Sequence, residues 1–251
     1  MALDAGAHPS GDWGGMHSEP VDPRSGGPAP VVLVYPYGIV VDREGRRFLD
    51  EGRGLVHETW EEYSRAIHFS TPGRKAWAIL DSRLAEISGY QRAIRSEVPP
   101  VRAESIDELA SLTGIDLPGL RRTIADYNAA CTGDASRFDA TRTDGLRASA
   151  ALSPPKSNWA RALDRTPYLA WPLVGAIAYT FGGIATNESA EVLGANGAIP
   201  GLYAAGEITG HFHGSAPNAV AVMRALVYGR IAGRAAAAYA NTQLSTARQA
   251  S

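Results

Sequence analysis

The stretch Ile199-Pro-Gly-Leu-Tyr-Ala-Ala-Gly206-Glu207, with the long helix after it, constrains this chain more than any other feature. Leu202 to Ala205 read as a short buried strand whose small residues let another body come close. Gly206 removes a side chain where backbone has to approach a ligand. Glu207 then places a carboxylate at the strand end, where it can accept hydrogen bonds. The helix starts near Asn218 and carries Ala221, Ala225, Gly229, Gly233 and Ala237 at i, i+4 steps, a strip of small side chains on one face. Its first turn offers unpaired amides and the positive end of the helix dipole. A strand, a glycine turn or an alanine-rich helix alone is common in αβ proteins; the ordered combination is not.

The remaining sequence narrows the class. At 251 residues the chain is long enough for a sizeable core. Its net charge of −2 gives no electrostatic case for nucleic acid or an anionic membrane as partner. Cys131 is the single cysteine, which excludes a disulfide framework or a thiolate metal site within one chain. His211 and His213 flank Phe212 on a loop, but no third ligand is near and no metal is expected. No run approaches the ~20 apolar residues that span a bilayer, and the N-terminus lacks the pattern of a secretory signal. The expectation is a cytoplasmic, soluble, loop-rich α+β protein.

Along the chain, Met1 to Ala5 read as the closing turn of a helix with Gly6 as its C-cap. Either this is a frayed tail or the sequence starts partway through a larger protein. Residues 8–30 read as loop. Pro30 to Asp42 holds two β-rich runs broken at Pro36 to Gly38, and Asp42-Arg-Glu-Gly45 is a turn returning into Arg46 to Phe48. Helices are expected around His57 to Ile67 and Lys75 to Ile87. Ser105-Ile-Asp-Glu108 is a capping box that opens a short helix ended by Gly114, and Leu117 to Ala130 repeats apolar residues at helical spacing. Residues 132–165 return to loop composition, and a domain boundary is placed near residue 166.

The segment from Tyr179 to Arg234 resembles the C-terminal signature of the fumarate reductase/succinate dehydrogenase flavoprotein family: Gly182-Gly183, a hairpin, IPGLYAAGE, a glycine-histidine loop and the Gly229-Arg-Ile-Ala-Gly233 helix. The tricarballylate-dehydrogenase-like and ketosteroid-dehydrogenase-like branch looks nearest. Gly38 to Glu51 resembles the family hairpin, and Ser105 to Ala110 with Leu120 to Asn128 resembles a helical pair of its substrate cap. The resemblance implies a substrate-cap domain of the fumarate reductase flavoprotein type, joined to the C-terminal strand-helix segment of an FAD/NAD(P)-binding α/β domain. Residues 1–14 would be a remnant of the first FAD segment, 15–165 the cap and 166–251 the returning FAD segment.

The implied activity is hydride exchange between FAD and a C–C bond of an organic acid or enone-like substrate. Cofactor-binding positions carried over are Tyr179, Gly206, Glu207, Asn218, Ala221 and Val222. Glu207 would accept from the ribityl hydroxyls, and the helix start suits a pyrimidine edge that gains negative charge on reduction. Catalytic positions are Tyr179, His213, His17 and Arg53, with Tyr179 either a proton donor or a flavin-packing residue. The family's acid arginine falls at Leu55 here, two residues from Arg53, and its clamp arginine is replaced within Ser215 to Asn218. Arg224, two turns into the helix, reads as solvated or structural. Each charged bidentate contact is worth ~1.5–3 kcal/mol, so these departures argue against fumarate or succinate as substrate. The G-x-G-x-x-G turn that would hold the ADP portion of FAD is absent. The competing expectation is therefore a non-catalytic fragment or partner subunit that cannot bind FAD alone, its site completed by a second chain or a missing N-terminal segment.

Overall fold

The computed structural model describes residues 1–215 and 219–249. In chain order the first elements are β1 (Pro9–Ser10), β2 (Met16–Val21), β3 (Ile39–Val41), α1 (Val56–Ser70), β4 (Ala76–Leu80), β5 (Val101–Ala103) and α2 (Ile106–Thr113). Then come α3 (Leu117–Ala130), β6 (Tyr168–Thr180), β7 (Gly183–Ile184), β8 (Glu191–Gly194), β9 (Gly197–Tyr203) and α4 (Val220–Gln249). Two units result: unit 1 combines residues 1–17 with 177–251, and unit 2 is residues 18–176. The second boundary falls inside β6 rather than near residue 166, because the composition change there marks the start of a strand that unit 2 still uses. No helix among the described residues is long and apolar enough to cross a membrane.

Unit 2 is organised by β4. Its Ala-Trp-Ala-Ile-Leu sequence is buried at every position, as expected for a strand covered on both faces. It pairs antiparallel with β3 (Ile39 opposite Ile79, Val41 opposite Trp77) and with β6 (Ala78 opposite Trp171). The sheet order is β2-β6-β4-β3, with β5 also on β6. Successive side chains point to opposite faces. Trp77 and Ile79 therefore join Leu109, Leu120, Ile124 and Tyr127 from α2 and α3, whereas Ala78 and Leu80 join Tyr63 and Ile67 from α1. A helix expected over Lys75 to Ile87 is thus a strand followed by a short 3-10 turn. A continuous apolar run has no period that separates buried strand from buried helix.

The helices form where the sequence places their caps. Ser105 accepts from the Glu108 amide at 3.1 Å, opening α2, and Gly114 closes it. Asp116 accepts from Gly119 at 2.8 Å and opens α3. Residues 132–165 carry a single 3-10 turn and no strand, yet they are fastened like core. Trp159 is 1% exposed and donates Nε1 to the Asp139 carbonyl at 2.9 Å, and Asn158 donates to the Gly52 carbonyl at 2.7 Å.

Glu51 ties these pieces together. Its Oε1 accepts from the Val40 amide and from Arg47 Nε, both at 2.9 Å, and Oε2 meets Arg47 Nη2 at 2.5 Å. Arg47 also donates to the carbonyls of Pro154 and Pro155, at 2.6 and 2.8 Å. Lys156, 1% exposed, sits 3.8 Å from Glu51 Oε2 and donates to the carbonyls of Pro36 and Gly38.

In unit 1, β1 pairs with β7 and β8 forms a hairpin with β9. The small core gathers Ala7, Ile184 and Val192 with Ile199, Leu202 and Ala204. Met1 to Ala5 form a turn, with the Ala5 amide donating to the Met1 carbonyl at 3.0 Å. The strand expected to be buried at Leu202 to Ala205 is instead half-buried: β9 belongs to a two-stranded sheet, and of α4 the Tyr239 ring lies against its Gly201. Along α4, Arg224 is the one buried residue among those described, and Val222, Met223 and Leu226 are more than half exposed.

The charged network of unit 2 can be probed at both ends. Glu51→Gln leaves two buried cations short of a counter-charge and should cost about 3–5 kcal/mol in urea unfolding. Burial holds the Lys156 amine down at about 8, below its ordinary value. Between pH 8 and 10 the unfolded chain binds a proton there that the folded chain has released, so this group's contribution to stability rises with pH. The rise should be absent in Lys156→Met, measured as the difference in unfolding free energy between the two proteins across that window.

Candidate functional site

The site grows out of the turn between β6 and β7. At Gly183 a Cβ would strike the Ile208 carbonyl, so the two backbones can run this close only with glycine here. This brings Glu207 beside the end of β6. Glu207 Oε1 accepts from the Thr180 amide at 2.9 Å and from the Thr180 hydroxyl at 3.2 Å. Gly206, at φ +83°, makes the bend that turns the carboxylate there. Trp13, Thr180, Gly182, Gly183, Glu207 and Ile208, together with residues 1–4, line a cleft of about 570 Å³. Ligand clefts commonly span ~300–1,000 Å³.

Next to Thr180 begins an aromatic cluster. Tyr179 stacks on His17 with centroids 4.9 Å apart and planes 23° from parallel. Phe212 lies 6.1 Å from Tyr179 and 5.7 Å from Phe181. Phe181 is fully buried, Tyr179 half-buried and His17 buried. The Arg224 guanidinium lies over the Phe212 ring at 4.2 Å and donates Nη1 to the Thr209 carbonyl at 3.0 Å. His211 shares a 3.0 Å hydrogen bond with the Thr186 hydroxyl. Burial, and then the Arg224 charge, hold its imidazole below the ordinary histidine value, so the ring is neutral near pH 7.

The positions singled out from sequence are distributed unevenly. Tyr179 and His17 are brought together, and Gly206 and Glu207 adjoin the cleft or line it. His213 is exposed, and its only described backbone partner is Ser215. Arg53 belongs to unit 2, where it forms an exposed ion pair with Glu62. Ala221 is half-buried and Val222 is 64% exposed. Asn218 lies outside the described residues. At Gly229 and Gly233 an added Cβ would meet nothing within 4 Å, so this part of the small-residue strip is open, whereas Ala225 lies beside Gly206, 3.8 Å from where a Cβ there would stand. Arg224, expected to be solvated or structural, is only 7% exposed and stands among the aromatics. Helical spacing could have found it: it is the one charged residue in the first turns of an otherwise apolar segment.

A family model described as FAD binding domain matches residues 24–219. The chain is 33% identical over 207 residues to a fumarate reductase (cytochrome) of Shewanella frigidimarina, covering 80% of this chain and 32% of that protein. It is 28% identical over 268 residues to 4-oxocyclohexanecarboxylate 2-dehydrogenase of Sinomonas cyclohexanicum, covering 96% of this chain and 45% of the relative. The open conformation of a flavocytochrome c3 fumarate reductase superposes with a TM-score of 0.72 at 29% identity, covering 96% of this chain and 39% of that one. The chain thus spans about a third to under a half of the length of these three relatives.

Gly183→Ala should lower stability by about 1–3 kcal/mol through the clash with Ile208. Gly229→Ala, on the uncovered face of α4, should raise it by about 0.5–1 kcal/mol. Thermal unfolding of both variants checks the contrast between the packed and the open glycine.

Proposed function

The chain belongs to the FAD-binding-domain family that includes the fumarate reductase flavoproteins, with FAD as its cofactor, and from that premise we propose a portion of an FAD-dependent oxidoreductase acting on a C–C bond of an organic acid or enone-like substrate. The observation that carries this reading is Glu207, fixed by Thr180 at the edge of a cleft, with the stacked Tyr179 and His17 next along β6. Bound FAD supplies hydride transfer; the remaining work falls to side chains of the protein.

Glu207 uses one oxygen on Thr180 and keeps the other for sugar-alcohol hydroxyls, as a carboxylate with spare lone pairs can. Tyr179 is assigned the proton moved opposite the hydride, its ring orientation held by His17. His213 is assigned substrate contact; Arg53, the other candidate that the resemblance offers, pairs with Glu62 within unit 2. Leu55 at the acid position keeps fumarate and succinate the less favoured substrates. A keto acid fits better, and the Sinomonas relative is named for one.

A second reading is favoured by the uncovered apolar residues Val222, Met223 and Leu226 on α4. Here the chain does not hold FAD by itself and forms the site only with further polypeptide. Titration with FAD, followed by the visible flavin band, separates the two readings. Saturable binding at one FAD per chain supports the first, and no binding at millimolar FAD supports the second. If FAD binds, Glu207→Gln should weaken it by tenfold or more. Tyr179→Phe should keep the flavin band while slowing turnover of an enone-acid substrate by about 10²–10⁴-fold.

A further inference from the structure

Arg224 is a buried cation whose charge the described residues do not answer. It is 7% exposed, and it makes no ion pair among them. Nη1 is used on the Thr209 carbonyl, and Nε is buried with no acceptor. The Phe212 ring beneath the guanidinium offers only the weak attraction of a quadrupole. Tyr179 and Glu207 are the ionisable groups whose charge favours the cation, but Glu207 is hydrogen-bonded to Thr180 and acts from a distance. His211 adds no compensation, since it is neutral. An arginine cannot shed its proton to escape burial, so a guanidinium in this setting calls for an anion from outside.

The surroundings choose the anion. The Phe212 ring lies under the guanidinium, Arg224 is the single buried arginine of the unit's described residues, and Arg230 and Arg234 further along α4 are exposed. A lone planar fork over an aromatic ring matches a carboxylate on a small organic molecule, whereas a phosphoryl group carries more charge than one buried cation meets.

We propose that Arg224 binds a carboxylate of the substrate, taking from within α4 the clamping role that the loop before it does not supply. This rests on the organic-acid reading and names the residue that would enforce it. Arg224 touches substrate in this scheme and moves no proton, so it sets specificity and affinity.

The test titrates the full chain with sodium succinate as the carboxylate probe at constant ionic strength. It tracks the ¹⁵N–¹H resonance of Arg224 Nε and the thermal midpoint, with sodium phosphate and FAD as parallel arms. The expected result is a saturable shift of the Nε resonance and a raised midpoint with succinate, both lost in Arg224→Gln. Arg224→Lys keeps the charge without the fork and should bind succinate at least threefold more weakly; it also decides the matter if the glutamine variant fails to fold. No saturable response to succinate, an equal response in either variant, or a response confined to phosphate or FAD would overturn the proposal. FAD binding without a succinate response leaves the oxidoreductase reading standing and removes this one. A succinate response that depends on Arg224 without FAD binding does the reverse for a chain acting alone.

Discussion

Glu51 is the point on which unit 2 depends. One carboxylate serves the backbone of β3, the guanidinium of Arg47 and the ammonium of Lys156, the last from a part of the chain remote from the other two. Through Arg47 and Lys156 it reaches the carbonyls of Pro36, Gly38, Pro154 and Pro155, so the long irregular segment before β6 is anchored by charge as well as by apolar packing. Taking these ions out of water is costly, and the network persists because nearly every donor has an acceptor. It favours one course of the chain over near neighbours, because a misplaced partner leaves a buried charge alone.

The other unit is built on a different principle. It has a small apolar core, close backbone contacts at glycine and a long helix most of whose surface is open. What it orders well is local: Glu207 on Thr180, Tyr179 on His17, and Arg224 on Phe212. Two of these pairs draw on the residues just before the Gly182-Gly183 turn, and the backbone of that turn lies against the segment that carries Glu207. The turn therefore sets the spacing of the group.

Elements with a local signature were legible from the residues. The Ser105 capping box, Gly114, the Asp42 to Gly45 turn and the spacing of Leu120, Ile124 and Tyr127 each specify their structure within a few positions, and the family resemblance rested on motifs of the same kind. Features that escape a reading of the residues depend on contacts remote in sequence. The run at Ala76 to Leu80 becomes a strand because β3 and β6 flank it, and neither partner is visible from inside the run. Arg224 reads as solvated or structural, and the choice between the two is not visible from its own helix, because it depends on the Phe212 ring folded against it. The same holds for β9, whose sequence promises burial that its two-stranded sheet does not provide.

Trp13 has a use that none of its neighbours has. The other four tryptophans, Trp60, Trp77, Trp159 and Trp171, belong to unit 2, and Trp77, Trp159 and Trp171 are buried there. Trp13 alone belongs to unit 1, on the wall of the cleft and 62% exposed. Its red-edge emission is therefore optically separable from the blue emission of the buried indoles. Quenching by iodide, a hydrated anion kept out of buried sites, acts most strongly on Trp13 and, over a smaller background from the half-buried Trp60, reads the state of the cleft in the native chain without a label.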